Sequence, residues 1–153
     1  MSTTVLTSHL QTVGHIFTEM PFNKMLGLKL DKLEANEVVM SITMQESLIG
    51  NYLQNILHGG VISSVLDVAG GLAAAAITTS KYPDKSLQEL AGILGKTSTV
   101  DLHIHYLRPG KGTHFQVKAY PVHSGNKITF TRMEFHNNES MLIATGSGSY
   151  AVG

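Results

Sequence analysis

The feature that most constrains the fold is an apolar stretch that follows His58-Gly59-Gly60 and extends to about Lys81. As a helix it would be about 35 Å long, at ~1.5 Å per residue. Apolar side chains point in almost every direction around this helix, so it is expected to be buried. Gly70-Gly71 lies inside it, although glycine costs about 1 kcal/mol in a helix interior. The pair therefore predicts close packing against the helix.

The rest of the chain predicts one antiparallel sheet wrapped around this helix. A short amphipathic helix is expected over Leu10 to Met25, with a stop near Pro21. Residues 45–57 are predicted to be a loop, and Tyr82-Pro83-Asp84 marks a linker. The predicted strands span residues 28–33, 38–44, 99–106, 114–120, 127–135 and 141–150. One buried helix and about six strands form an α+β domain, expected to comprise residues 1–153.

Composition excludes several classes of protein. The chain has no Cys, so it forms no disulfide, thiolate zinc site or iron–sulfur cluster. Lys and Arg total 11, equal to Asp and Glu, which argues against binding to nucleic acid.

The first ten residues lack a signal peptide pattern, and residues 61–77 are too interrupted for a membrane span, so we expect a soluble cytoplasmic protein. Only 14% of residues are charged, which favours a surface partly covered by another subunit.

The residues His58-Gly59-Gly60 are a candidate oxyanion site. Free N–H groups at a helix start carry partial positive charge, and glycines let a substrate atom come close to them. Such groups stabilise an oxyanion developing on a carbonyl oxygen. A simple turn before the helix explains the same three residues, and from them alone it is the better-supported interpretation.

Asp67 is a candidate catalytic carboxylate. It lies nine residues after His58 on a helix that is otherwise apolar, where an unpaired carboxylate is costly to bury. One interpretation is a structural aspartate satisfied by a nearby hydroxyl or amide. The other is a general base or nucleophile tuned by its surroundings. The residues alone leave both open.

Helix geometry separates these two candidates. Nine residues turn a helix by 900° and advance it by roughly 13 Å, so His58 and Asp67 project to opposite sides. Two chains related by a twofold axis would bring the start of one helix beside the middle of the other. If both features act together, the protein is a homodimer or homotetramer with composite sites.

Weaker candidates lie in loops and strands. Asn51 or Asn55 could hydrogen-bond a carbonyl or a water, although turn formation is the usual explanation for an isolated loop asparagine. Thr99 could hold a catalytic water, although most threonines at such a place are simply strand formers. Alternation places Thr99 on one strand face with Asp101, His103 and His105, opposite Val100 and Leu102. No third well-placed ligand joins the two histidines, so no metal site is predicted. The basic residues Arg108 and Lys127 could meet phosphates.

The chain resembles the hotdog-fold acyl-CoA thioesterases of the PaaI-like type, and among them the bacterial medium/long-chain enzymes. The resemblance covers nearly the whole chain and is strongest in a set of short motifs. These are Ile56-Leu57-His58-Gly59-Gly60-Val61-Ile62, Leu66-Asp67, Thr99-Val100-Asp101-Leu102, Tyr106-Leu107-Arg108-Pro109 and Gly125-Asn126-Lys127.

The resemblance implies a role for each matching residue. Asp67 would be the base or nucleophile, and the N–H of Gly59 or Gly60 would polarise the thioester carbonyl. Asn51 and His58 would position the thioester or the water, with Asn55 as an alternative to Asn51, and Thr99 would hold the water. The turn Gly125-Asn126-Lys127 matches a region that meets the nucleotide part of coenzyme A, and Arg108 is a further candidate contact. Coenzyme A is then part of the substrate, and no cofactor is expected.

Two other functions remain open on the same fold. A hydratase or dehydratase is one, although its Asp-x-Asn-x-x-His segment is absent. A non-catalytic acyl-binding protein is the other. The seven Met and the lack of Trp favour an adaptable apolar pocket, so medium or long aliphatic acyl groups are the expected substrates.

Overall fold

A computed structural model describes residues 3–153 of the protein. Met1 and Ser2 lie outside the described residues. They belong to the predicted domain, residues 1–153, and to the segment predicted to lack a signal peptide. The elements in chain order are α1 (Thr3–Glu19), α2 (Pro21–Leu26), β1 (Lys29–Glu34), β2 (Glu37–Thr43), a 3-10 turn (Glu46–Leu48), β3 (Ile49–Asn51), β4 (Ile56–Leu57), α3 (Gly59–Ser80), α4 (Leu87–Leu94), β5 (Ser98–Tyr106), β6 (His114–Ser124), β7 (Ile128–Asn137) and β8 (Leu142–Ala151).

Six strands form one antiparallel sheet around α3, which confirms the predicted architecture. Their order is β1-β2-β6-β7-β8-β5, so β1 and β5 are the two edges. The inward faces of the strands alternate with exposed positions along β6 and β7. Phe115 and Phe135 stack face to face in the core with ring centroids 5.5 Å apart. The sheet thus provides the curved wall against which the long helix is buried.

The long helix is the core element that the apolar stretch predicted. Thirteen of its residues are buried, including Leu66, Leu72 and Ala73 to Ala76. Within residues 3–153, α3 alone has the length and apolar composition of a membrane-crossing helix, but most of its apolar window is buried in the domain. Gly70 and Gly71 face the ring of Tyr150, and a Cβ at Gly70 would overlap the Tyr150 hydroxyl. This contact is the packing reason for the glycine pair.

Three local predictions were wrong. Helix α1 begins at Thr3 rather than Leu10, because its buried stripe includes His9 and Leu10 and needs the preceding turn. The predicted loop 45–57 contains a 3-10 turn and the β3–β4 hairpin. Helix α4 was missed, although Ser86 and Glu89 form a capping box at its start.

Candidate active site

The predicted site residues occupy two separate clefts of the chain. The first has a volume of about 520 Å³ and is lined by Asn51, His58 and Gly59. The second has a volume of about 530 Å³ and is lined by Asp67 and Thr99. The start of α3 and its middle therefore open on different cavities, as the helix geometry predicted.

The start of α3 presents one free backbone donor. His58 is the N-cap, and its Nδ1 accepts a hydrogen bond of 2.8 Å from the Gly60 N–H. No described residue accepts a hydrogen bond from the Gly59 N–H. The Gly59 carbonyl accepts a hydrogen bond of 2.9 Å from the Tyr106 hydroxyl, which holds this turn against the end of β5. Of the two candidate amides, Gly59 is the one available to a substrate.

The two candidate asparagines have different surroundings. Asn51 lines the first cleft, and its Oδ1 accepts a hydrogen bond of 3.1 Å from the Leu53 N–H. Asn55 has a positive φ of 53°, a backbone conformation that asparagine tolerates in turns. Its place in the hairpin explains Asn55 structurally. Asn51 is the asparagine that shares a cleft with His58.

Asp67 is half-buried, and two hydroxyl groups donate to one of its oxygens. Oδ1 accepts a hydrogen bond of 2.9 Å from Thr99 Oγ1 and one of 3.1 Å from the Tyr150 hydroxyl. Oδ2 has no hydrogen-bond partner among residues 3–153. Here one oxygen is held and the other is free in a cleft.

The face predicted for Thr99 was wrong. A β-bulge at Val100 shifts the register, so Thr99 pairs with Tyr150 and Asp101 with Ser149. The extra residue turns Thr99 to the helix face of the sheet, where it reaches Asp67. The alternation holds after the bulge, and His103 and His105 contact each other on the outer face with 2.9 Å between their Nε2 atoms. In the described part of the chain, no three His, Asp or Glu side chains are grouped to hold a metal ion.

Tyr150 is a site residue that the sequence analysis missed. It lies near the end of β8 with 1% of its surface exposed. Burial raises the pKa of its phenol above the ordinary value, and the charge of Asp67 raises it further, whereas a hydrogen bond with Thr131 acts in the opposite direction. Tyr150 therefore stays a protonated donor across the working pH range of an enzyme.

This raised pKa predicts a specific titration result. In the folded protein, the Tyr150 phenol should stay protonated at the pH where an ordinary tyrosine ionises, near 10, and should ionise only on unfolding. Absorbance at 295 nm against pH counts the ionised tyrosines, and Tyr150→Phe should leave the count of the folded protein unchanged. Five tyrosines titrating before the loss of far-UV circular dichroism would contradict the prediction.

The second cleft has mostly apolar walls. Its apolar lining comes from α1, α3 and α4 and includes Val13, Ile16, Phe17, Val68, Leu87, Leu90, Ala91 and Leu94. Its volume lies in the range of small-molecule sites. The cleft is suited to an apolar chain whose reactive end lies beside the Asp67 carboxylate.

The basic candidates lie at opposite ends of the sheet. Arg108 follows the C-terminal end of β5, and its Nη1 donates a hydrogen bond of 2.8 Å to the Leu142 carbonyl. Lys127 is exposed beside the other end of the sheet. Its neighbour Ile128 pairs with Ala151 on β8, and Ala151 pairs with Ser98 at the start of β5. A single chain thus does not bring Arg108 and the turn Gly125-Asn126-Lys127 together.

The turn before Lys127 is held by a second lysine. Lys81 Nζ, after the end of α3, donates hydrogen bonds of 2.7 Å and 2.9 Å to the carbonyls of Ser124 and Gly125. The Gly125 N–H donates to the Ile128 carbonyl at 2.9 Å. The Lys127 side chain is therefore presented to solvent on a well-defined turn.

Comparison with known proteins places this arrangement among thioesterases. Residues 54–144 match the family described as the thioesterase superfamily. The chain is 40% identical over 145 residues to the medium/long-chain acyl-CoA thioesterase YigI of Escherichia coli K12, covering 94% of each protein. A Shewanella oneidensis crystal structure related to the thioesterase superfamily superposes with a TM-score of 0.95 at 38% identity, covering 99% of this chain and 100% of that one. The PaaI protein of the E. coli phenylacetic acid degradation operon shares the fold, with a TM-score of 0.76 at 18% identity and coverage of 97% and 96%.

Proposed function

This chain belongs to the thioesterase superfamily and is an acyl-CoA thioesterase, and we propose that it releases medium or long aliphatic acyl groups from coenzyme A as free acids. The observation that carries the substrate preference is the cleft of about 530 Å³ in which the Asp67 carboxylate adjoins mostly apolar walls. The acyl chain would lie along those walls, with the thioester beside Asp67. The relative YigI, with medium/long-chain in its name, supports the same preference.

Asp67 is the proposed reacting carboxylate. It either takes a proton from water, whose oxygen then adds to the thioester carbon, or adds to that carbon directly as a nucleophile. In both routes the carbonyl oxygen becomes an oxyanion, the C–S bond then breaks, and the coenzyme A thiolate leaves. Thr99 would hold the water in the first route. Direct attack would give an anhydride with Asp67 that water then hydrolyses.

The oxyanion would be stabilised by the other half of the site. The Gly59 N–H at the start of α3 is the proposed donor, because His58 already accepts the Gly60 N–H. Asn51 and His58 would position the thioester carbonyl in the same cleft. Since this cleft is separate from that of Asp67, the proposed site needs a second copy of the chain.

The proposed assembly is a homodimer joined along β5, with its two α3 helices antiparallel. Strand β5 is an edge of the sheet, with backbone groups available for pairing. Val100, Tyr106 and Leu107 at this edge are each at least half exposed in the single chain. Two dimers could pair again as a tetramer. Lys127 and Arg108 are the proposed contacts for the phosphates of coenzyme A.

A thiol-release assay across acyl-CoAs tests the function. We expect release of free coenzyme A, with higher kcat/KM for decanoyl-CoA and palmitoyl-CoA than for acetyl-CoA. Enoyl-CoA formation without thiol release would indicate a hydratase or dehydratase, and saturable binding without turnover would indicate an acyl-CoA-binding protein. A preference for acetyl-CoA would contradict the proposed chain length.

A substitution in the wall of the second cleft is expected to change the preference for acyl chain length. Ala91 is on α4 and lines the cleft, so Ala91→Phe should fill part of it without altering α3. We expect kcat/KM for palmitoyl-CoA to fall about 10- to 70-fold, because losing contact for two or three CH₂ groups removes roughly 1.5–2.5 kcal/mol of binding, while hexanoyl-CoA changes little. Gln88→Phe is the matched control, since Gln88 is on the same helix but outside the cleft lining. Equal losses for both substrates would place the acyl chain elsewhere.

A further inference from the structure

We propose that Tyr150 is a positioning residue that holds Asp67 by Oδ1, so that Oδ2 is the reacting oxygen. This inference rests on the proposed function, in which Asp67 acts on the thioester. The two hydroxyl donors to Asp67, from Thr99 and Tyr150, both reach Oδ1. Two donors on one oxygen reduce its electron density and fix the rotation of the carboxylate. The unpartnered oxygen is then the basic one, with one orientation toward the cleft.

The Tyr150 ring is well placed to fix Asp67 because glycines enclose it. A Cβ at Gly148 would lie 2.6 Å from the ring, and one at Gly71 would lie 3.5 Å from it. Gly70 faces the hydroxyl itself, next to Thr131 Oγ1. These contacts come from two elements, α3 and β8, so the phenol has little freedom to rotate or withdraw.

The hydroxyl also connects the side chain of Asp67 to the helix backbone. It lies 3.1 Å from the Asp67 main-chain carbonyl as well as 3.1 Å from Oδ1. The single hydrogen of the phenol is thus shared between two acceptors of the same residue, and this contact holds the carboxylate in place relative to the backbone of α3. Because the phenol remains protonated, this donor is present at every pH at which the carboxylate works.

Strand pairing explains why Thr99 and Tyr150 both donate to Asp67. The two residues are paired across β5 and β8, so their hydroxyls reach the same face of α3 from adjacent strands. Both residues line the second cleft, but Thr99 is exposed, whereas Tyr150 has only 1% of its surface exposed. Thr99 can contact substrate or water directly, and Tyr150 acts mainly through Asp67.

Tyr150→Phe tests the inference, because it keeps the ring in its place and removes only the hydroxyl. We expect kcat to fall about tenfold, equivalent to about 1.4 kcal/mol, with KM within about twofold of the wild type. A fall in kcat with little change in KM is the result expected of a residue that orients the reacting carboxylate without binding the substrate. Tyr120→Phe is the control, since Tyr120 lies outside both clefts.

Two further variants make the result decisive. Asp67→Asn measured in parallel separates the two hypotheses: if it retains turnover, the proposed catalytic role of Asp67 fails, whereas if Asp67→Asn is inactive and Tyr150→Phe is unaffected, only the positioning role fails. Thr99→Val removes the other donor to Oδ1 at an exposed position, so it should also lower kcat more than it changes KM, even if Tyr150→Phe does not fold. An unchanged kcat in the folded variants would overturn the proposal.

Discussion

Asp67→Asn is expected to lower kcat by at least about a hundredfold, the scale of a lost general base, while the protein stays folded. The amide keeps the shape of the side chain, and its oxygen can still accept hydrogen bonds from Thr99 and Tyr150. What it lacks is the negative charge and basicity of Oδ2. Thiol release from decanoyl-CoA at saturation measures the loss, and thermal unfolding checks the fold.

Asp31→Asn is the matched control for this experiment. Asp31 is exposed on β1, at the edge of the sheet opposite β5, and lines neither of the two clefts. We expect it to retain wild-type kcat. If Asp67→Asn is folded and nearly as active as the wild type, the base lies elsewhere and His58 is the next residue to test. If it fails to fold, Asp67 is structural.

Gly59→Pro is expected to lower kcat by about 10²–10³, the usual effect of losing one oxyanion donor. Proline is well tolerated at the first position of a helix, and Gly59 is the first residue of α3. The preceding residue, His58, already has the extended conformation that a proline requires, with φ −61° and ψ 135°. The substitution thus deletes the N–H proposed to bind the oxyanion and leaves the helix start intact.

Gly59→Ala is the control for steric effects at this position. Its Cβ would lie 3.5 Å from the Tyr106 ring, an ordinary contact, and its N–H is retained. We expect kcat within about threefold of the wild type. Equal losses in both variants would show that bulk, and not the lost donor, causes the effect.

Mixing the two inactive variants tests whether sites are shared between chains. In a dimer that combines Asp67→Asn with Gly59→Pro, one composite site carries both changes and the other carries neither. A statistical mixture should therefore recover about a quarter of wild-type activity. If Asp67 and Gly59 of one chain served the same site, mixing would restore nothing.

The core of the fold could be predicted because its signals are local. The apolar surface of α3 and the alternation in β2, with Val38, Met40 and Ile42 buried, reflect burial that each segment needs in any context. His58-Gly59-Gly60 and Asp67 were found for a similar reason. Their residue types are unusual for their places in the sequence, and helix geometry alone predicts that they face different ways.

The contacts of Asp67 with Thr99 and Tyr150 depend on how the strands pair. This strand register cannot be predicted from local sequence patterns. Thr99 reaches Asp67 because of one extra residue at Val100, and this reverses the face that simple alternation predicts. Tyr150 is 83 residues away from Asp67 in the chain, and its sequence neighbours indicate only a strand. The contact exists because β5 and β8 lie side by side. Helix α4 is different, since Ser86-x-x-Glu89 was a readable start signal.

Helix α4 gives the protein a way to change its substrates without changing its chemistry. It has its own cap at Ser86 and contains one fully enclosed residue, Leu90. The two side chains that hydrogen-bond to the Asp67 carboxylate come from β5 and β8 instead. Substitutions along its inner side would alter the length and shape of the acyl cavity, while α3, β5 and β8 continue to hold the carboxylate. Selection for new fatty acids, in nature or in the laboratory, should therefore concentrate its accepted mutations in α4. The hydrolytic machinery would be inherited unaltered.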